Sequence, residues 1–215
     1  MIARPLKDIL IAAYPCPAPC VKCKLVRYAP EKGLIPRGYS GAMGAIDEVK
    51  LFLCIAEPGE PGSDEGYDIS DPERLIDQIE FCVSKAYESS KPGFHRNVRF
   101  VLDCCWPGLP FEEQMKRTWI TEGVLCSADE TAGPVSPLVE KECAARFLSK
   151  QLDLFPDAFV IALGKKAARR LTMAGCVRHI VVRVAGRPIG RRQVAEASWT
   201  EAGKQFQKYL NTKTR

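Results

Sequence analysis

The chain has 215 residues, 46% hydrophobic and 27% charged, with a formal net charge of +5. That length carries one sizeable globular domain, or a domain with a small arm, and buries a core without covalent staples. No apolar run reaches about 18 residues, which excludes a transmembrane helix and leaves no membrane partner to expect.

The ten cysteines are a high count, yet domains that depend on disulfides are usually much smaller. Cys54, Cys82, Cys104, Cys105 and Cys176 sit in apolar stretches, where a free thiol behaves as a small hydrophobe. Buried thiols and a reducing cytoplasm are the expectation.

The opening M-I-A-R-P-L-K-D-I-L-I-A-A-Y-P-C has a short apolar patch interrupted by Asp8 and no small-residue cleavage site. It reads as a short helix rather than a signal peptide. Cys20 and Cys23 follow as a C-V-K-C pair. Val49 to Ala56, V-K-L-F-L-C-I-A, is a continuous apolar run followed by the turn E-P-G-E-P-G, the pattern of a buried parallel strand. After a polar loop, Asp71 as N-cap and Pro72 at the first position open a helix. Phe100 to Cys105 is ambiguous between helix and strand, Phe111 to Lys116 reads as a short helix, and Thr118 to Cys126 as a second buried strand.

Pro137 opens a helix running from about Leu138 to Leu154. Ala158 to Gly164 is a third strand leading into K-K-A-A-R-R-L-T-M-A, His179 to Ala185 a fourth, and S-W-T-E-A-G-K-Q-F-Q-K-Y-L a closing helix. Alternating strands and helices predict an α/β fold, a three-layer α/β/α sandwich on a central, mainly parallel four-stranded sheet. One domain over 1–215 is expected, with 1–47 as a tethered N-terminal arm. In such sheets the working loops lie beyond the carboxyl ends of the strands. Four loops then converge on one edge: 57–68, 126–137, 164–166 and 185–192.

Cys126 would end the second strand and Cys143 would lie in the next helix. Set against Cys20 and Cys23, they read as a ligand cage closed by the fold. Thiolate is the soft donor that iron–sulfur clusters and zinc prefer, and the spacing does not choose between the two. A second feature is electrostatic. Ala158 to Ala195 contains no Asp or Glu but holds Lys165, Lys166, Arg169, Arg170, Arg178, Arg183, Arg187, Arg191 and Arg192. A one-sign stretch of that length is a candidate phosphate-contact surface; the alternative is a solvated helix face with arginines paired to acids elsewhere.

Five motifs in order carry a resemblance: C-V-K-C-K-L, L-F-L-C-I-A-E-P-G, T-E-G-V-L-C, E-K-E-C-A-A-R-F-L and V-I-A-L-G-K-K-A-A-R-R-L. From about Cys20 to Ile189 the chain resembles the uracil-DNA glycosylase superfamily, closest to its iron–sulfur branch, family 4. The resemblance implies a small α/β/α sandwich and a structural 4Fe–4S cluster ligated by Cys20, Cys23, Cys126 and Cys143. It implies a DNA-repair hydrolase, a monomer acting on DNA that contains a damaged base, with uracil first, in base excision repair.

Departures fall in the site motifs. The family loop reads G-E-A-P-G, with its glutamate placed to activate water; here Ala56 takes that slot and Glu57 follows it. The family's asparagine before the third cysteine is Glu122, and its late His-Pro-Ser loop is Arg187-Pro188-Ile189. Neither His95 nor His179 fits that role, and both read as structural or surface residues.

A glycosylase extrudes the nucleotide, holds the base, and stabilises charge as the bond breaks. Glu57, Glu60 and Asp64 are the candidate carboxylates beside the sugar, with Glu57 first. Arg187 is the candidate cation at the leaving base, since guanidinium stays charged. Pro58 and Gly59 would shape the base pocket, Tyr67 would stack, and Glu122 would meet the base edge, donating only if protonated. Ile189, flanked by Pro188, is the candidate wedge, and Lys165, Arg191 and Arg192 are candidate DNA contacts. The alternative function is a non-catalytic nucleic-acid or abasic-site binding protein that keeps the fold and the cluster.

Overall fold

The computed structural model describes residues 1–22, 24–62, 67–91, 93–127, 133–186 and 192–213. Helices α1 (Arg4–Ile11) and α2 (Pro19–Lys22) lead to strands β1 (Ser40–Gly41) and β2 (Leu51–Ile55). Helices α3 (Pro72–Glu88), α4 (Phe94–Cys105) and α5 (Phe111–Lys116) precede β3 (Thr118–Glu122). Then come α6 (Pro137–Cys143), α7 (Ser149–Asp153), β4 (Phe159–Leu163), α8 (Lys165–Met173), β5 (His179–Val182) and α9 (Arg192–Lys213). The strands form one sheet in the order β1-β3-β2-β4-β5, parallel throughout except for β1.

This is the expected α/β sandwich with one strand more than foreseen. The extra strand, β1, belongs to the N-terminal arm and pairs antiparallel with β3, Ser40 opposite Ile120 and Gly41 opposite Trp119. Two residues of small side chain give no periodic signal. Gly41 sits at φ 102° with Thr118 O only 2.1 Å from where a Cβ would stand, so the pairing needs glycine.

Strand β2 is buried along its whole length, as its uninterrupted apolar run predicts. Phe52 and Cys54 face a core shared with the arm, α3 and α6 to α8. Leu51, Leu53 and Ile55 face a second core closed by α4 and α9. Helix α9 comes so close to α4 that a Cβ at Gly203 would lie 2.5 Å from Cys104 O.

Local boundaries differ where tertiary contacts decide. The ambiguous Phe100 to Cys105 segment is the end of helix α4, and β3 stops at Glu122, so Cys126 lies in the loop beyond the strand instead of ending it. The helix expected over Leu138 to Leu154 is present but contains a π-helical turn, Ala144–Leu148. Cys54, Cys105 and Cys176 are buried as expected, but Cys104 is only partly buried and Cys82 is exposed. Among the described residues no helix is long and apolar enough to cross a membrane.

Candidate functional site at the strand ends

Strands β2 to β5 run in one direction, so their carboxyl ends share an edge. Glu57 follows β2 there and turns inward, its side chain 6% exposed. Oε1 lies 2.8 Å from Lys166 Nζ and Oε2 lies 2.5 Å from Arg170 Nη1. Arg170 is fully buried, and its Nε donates to Glu140 Oε1 on α6 at 3.1 Å. Arg169 pairs with the same carboxylate, and Lys166 also donates to Gly133 O at 2.7 Å. Helix α8 explains the convergence: Lys166, Arg169 and Arg170 fall at i, i+3 and i+4, on one face. Gly123 makes room, since a Cβ there would stand 2.6 Å from Arg170 Cδ. Three cations of the acid-free stretch therefore pair with buried acids, Arg170 wholly inside while Arg169 and Lys166 stay partly exposed.

Glu122 ends β3 directly opposite Ile55 and is 4% exposed. It lies against the backbone of Gly38, where a Cβ would come within 2.5 Å of Glu122 Cγ. Among the described residues its Oε2 has no hydrogen-bond partner. Burial pushes its carboxyl well above the usual range, Glu57 adds to the rise, and Arg170 and Arg37 oppose it. Burial thus favours the protonated form, which carries one O–H to donate and a carbonyl to accept.

The loop after Glu57 is held by the arm. Gly59 O accepts from Arg37 Nη2 and from Ser127 Oγ, the latter at 3.1 Å. Arg37 Nη1 donates to Gly33 O at 3.0 Å and its backbone N–H to Leu125 O at 2.9 Å. Glu60 pairs with Arg27 at 2.6 Å, which directs it to the arm. Pro58 is buried and Gly59 exposed, while Tyr67 is buried in the arm-side core with Tyr14 and Tyr39.

Lys165 is exposed at the start of α8, and Arg192 is exposed and pairs with Glu196 at 2.6 Å. Cys23, Asp64, Arg187, Pro188, Ile189 and Arg191 lie outside the described residues. His95 packs its ring against Tyr87 and Phe94, and His179 Nδ1 is 3.0 Å from Cys176 O. Both serve as structural residues.

Beside the strand-end loops stands a group of sulfurs. Cys20 on α2, Cys126 beyond β3 and Cys143 at the end of α6 come together, each at most 5% exposed. Cys16, which the two-and-two spacing passed over, joins them at 9% exposed. The four are near enough that charge on Cys16, Cys20 or Cys143 would raise the Cys126 thiol. Burial pushes the Cys143 thiol up to about 12 and raises those of Cys16, Cys20 and Cys126. Opposing this, amide N–H groups point at sulfur: Ala18 at Cys16, Val21 at Cys20 and Leu125 at Cys143. Arg146, on the π-helical turn after Cys143, lies near both Cys16 and Cys20 and pairs with Glu142 at 2.7 Å. Among the described residues no three His, Cys, Asp or Glu side chains are arranged to hold a metal ion.

Besides Cys16, the sequence reading left Arg37, Lys166 and Arg170 out of the site. The run C-P-A-P-C-V-K-C and the doubled basic pairs of α8 were the signals available for Cys16 and for the two α8 cations. In comparisons with known proteins, the chain matches no protein-family model and no curated protein.

Proposed function

We propose that this chain is a DNA-repair glycosylase of the uracil-DNA glycosylase type, hydrolysing the N-glycosidic bond of a damaged base, uracil first, in DNA. The observation that carries the proposal is the pair of buried carboxyl groups at neighbouring strand ends, Glu57 and Glu122. They are held in different surroundings: Glu57 against two cations, Glu122 buried with one oxygen unpartnered. An anionic Glu57 favours the positive sugar that develops as the bond breaks, and a neutral Glu122 presents one donor and one acceptor to a base edge. Uracil N3–H and O4 match that pair. This reading assigns the cation at the leaving base to Arg187 and a phosphate contact to Arg191, both outside the described residues, and further phosphate contacts to Lys165 and Arg192.

Cys20, Cys23, Cys126 and Cys143 hold a structural 4Fe–4S cluster in this reading, with zinc as the other group suited to thiolates. Soft donors, amide N–H groups directed at sulfur and the nearby Arg146 fit such a centre. The protein works as a monomer in a reducing cytoplasm.

A second reading is favoured by one observation: both oxygens of Glu57 are engaged by Lys166 and Arg170. A carboxylate so committed suits a binding protein for nucleic acid or abasic sites that performs no hydrolysis. Treatment of a uracil-containing oligonucleotide with the protein, then alkali, separates the two. Strand breakage that falls by about 10²-fold or more in Glu57→Gln supports the enzyme. Tight binding with no alkali-labile product, across uracil, hypoxanthine and xanthine, would replace it with the binding protein.

A further inference from the structure

We propose that the outer edge of strand β5 is a docking site for an extended segment of another protein, apolar at its centre and acidic at its ends, which adds to the sheet as a further strand. The inference stands apart from the glycosylase reading. Strand β5 is last in the sheet order and pairs on one side with β4, Ala162 opposite Val181. Among the described residues no strand pairs with its other side, so backbone N–H and C=O groups are open to a partner there. The strand itself, H-I-V-V, holds no proline, lysine or acid to block such pairing, and its β-branched residues suit it.

Apolar side chains lie uncovered around this edge. Of the eight large apolar residues exposed among the described ones, five fall between Met173 and Val194: Met173, Val177, Val181, Val184 and Val194. Val181 is 51% exposed within the strand, whereas Val182 beside it is buried in the core closed by α4 and α9. A strand laid alongside β5 sends alternate side chains over Val181.

Charge decides what that strand carries. Ala158 to Ala195 holds no Asp or Glu, and exposed arginines stand at both ends of β5, Arg178 before it and Arg183 after it. Arg178 also donates to Phe155 O at 3.2 Å. Helix α9 fixes the Arg183 backbone, whose N–H donates to Ser198 Oγ at 3.2 Å and whose carbonyl accepts from Trp199 Nε1 at 2.8 Å. A partner strand with acids flanking an apolar centre complements both ends. The same arginines count against a second copy of this chain. Two-fold antiparallel pairing of β5 with itself sets Arg178 of one copy opposite Arg183 of the other, twice, and like charges directly opposite destabilise.

The test uses the full chain with a short capped peptide, valine at its centre and glutamate at its ends, and a lysine counterpart as control. Anisotropy of the labelled peptide and hydrogen exchange of the protein are read together. The glutamate peptide is expected to bind, to slow exchange within residues 179–182 by about tenfold or more, and to bind Arg183→Glu about tenfold more weakly. Equal binding of the lysine peptide overturns the proposal, as does binding that leaves 179–182 unprotected, or no binding at millimolar peptide. Should Arg183→Glu fail to fold, the two peptides on the unaltered chain decide alone. A DNA duplex that protects 179–182 where the glutamate peptide does not assigns the edge to nucleic acid and overturns the proposal. A dimer that dissociates in Val181→Lys assigns it to a second copy and does the same.

Discussion

Glu122 combines near-complete burial, an oxygen with no hydrogen-bond partner among the described residues and a neighbouring carboxylate, so its proton matters to stability. The folded chain holds that proton more tightly than the unfolded chain, because burial disfavours the anion. Its contribution to stability is therefore complete below the ordinary glutamate pKa of about 4.3 and declines as pH rises toward the folded value. Glu122→Gln removes the titration. The melting temperature of the unaltered chain is expected to fall relative to that of the variant as pH is raised from about 5 to 8. Parallel curves for the two proteins would show that Glu122 ionises in the folded state as it does in the unfolded chain. The residue itself stood out in the sequence, an acid where an amide is expected. The upward shift of its carboxyl did not, because that depends on its burial against Gly38 and on the charge of Glu57.

Helix α8 shows how one element serves two ends. Its inward face sends Arg170 between Glu57 and Glu140, whereas Lys165 remains on the surface. Removing one partner of a buried ionic cluster strands the others, at a cost of about 3–5 kcal/mol. Arg170→Met is expected to lose stability on that scale in urea melts. Lys165→Ala, in contrast, should leave the urea midpoint alone, weaken DNA binding and reduce the salt slope of binding by about 1. A midpoint unchanged by Arg170→Met would mean that the cluster contributes nothing net to folding. The run K-K-A-A-R-R predicted a basic helix correctly. Which cations face inward depended on the acids of β2's loop and of α6, which lie far away along the chain.

At the scale of the molecule, the arm is fastened at several points. Lys7 pairs with Asp77 on α3 at 2.7 Å, β1 extends the sheet, and Arg37 clasps the loop after β2. Tyr14 and Tyr39 join their hydroxyls at 2.8 Å inside the core. On the proposal that the sulfurs hold a metal, its removal by a chelator should therefore loosen the segments that carry them without releasing the whole arm. Hydrogen exchange is expected to rise over residues 16–27 and 124–127 and to stay slow in β1 and β2. Exchange rising evenly over 1–47 would mean that the centre alone holds the arm in place.

What the chain revealed unaided was the order and kind of its elements and the edge on which its loops meet. Apolar runs, the Asp71-Pro72 helix start and the glycine after β4 act over a few neighbouring residues, so they can be read without coordinates. The pairing of Ser40–Gly41 with β3, the clamp on Glu57 and the entry of Cys16 among the sulfurs came only from the tertiary structure. Each is a contact between segments distant in sequence, and its strength arises from water being excluded around it, a condition that exists only after the chain has folded.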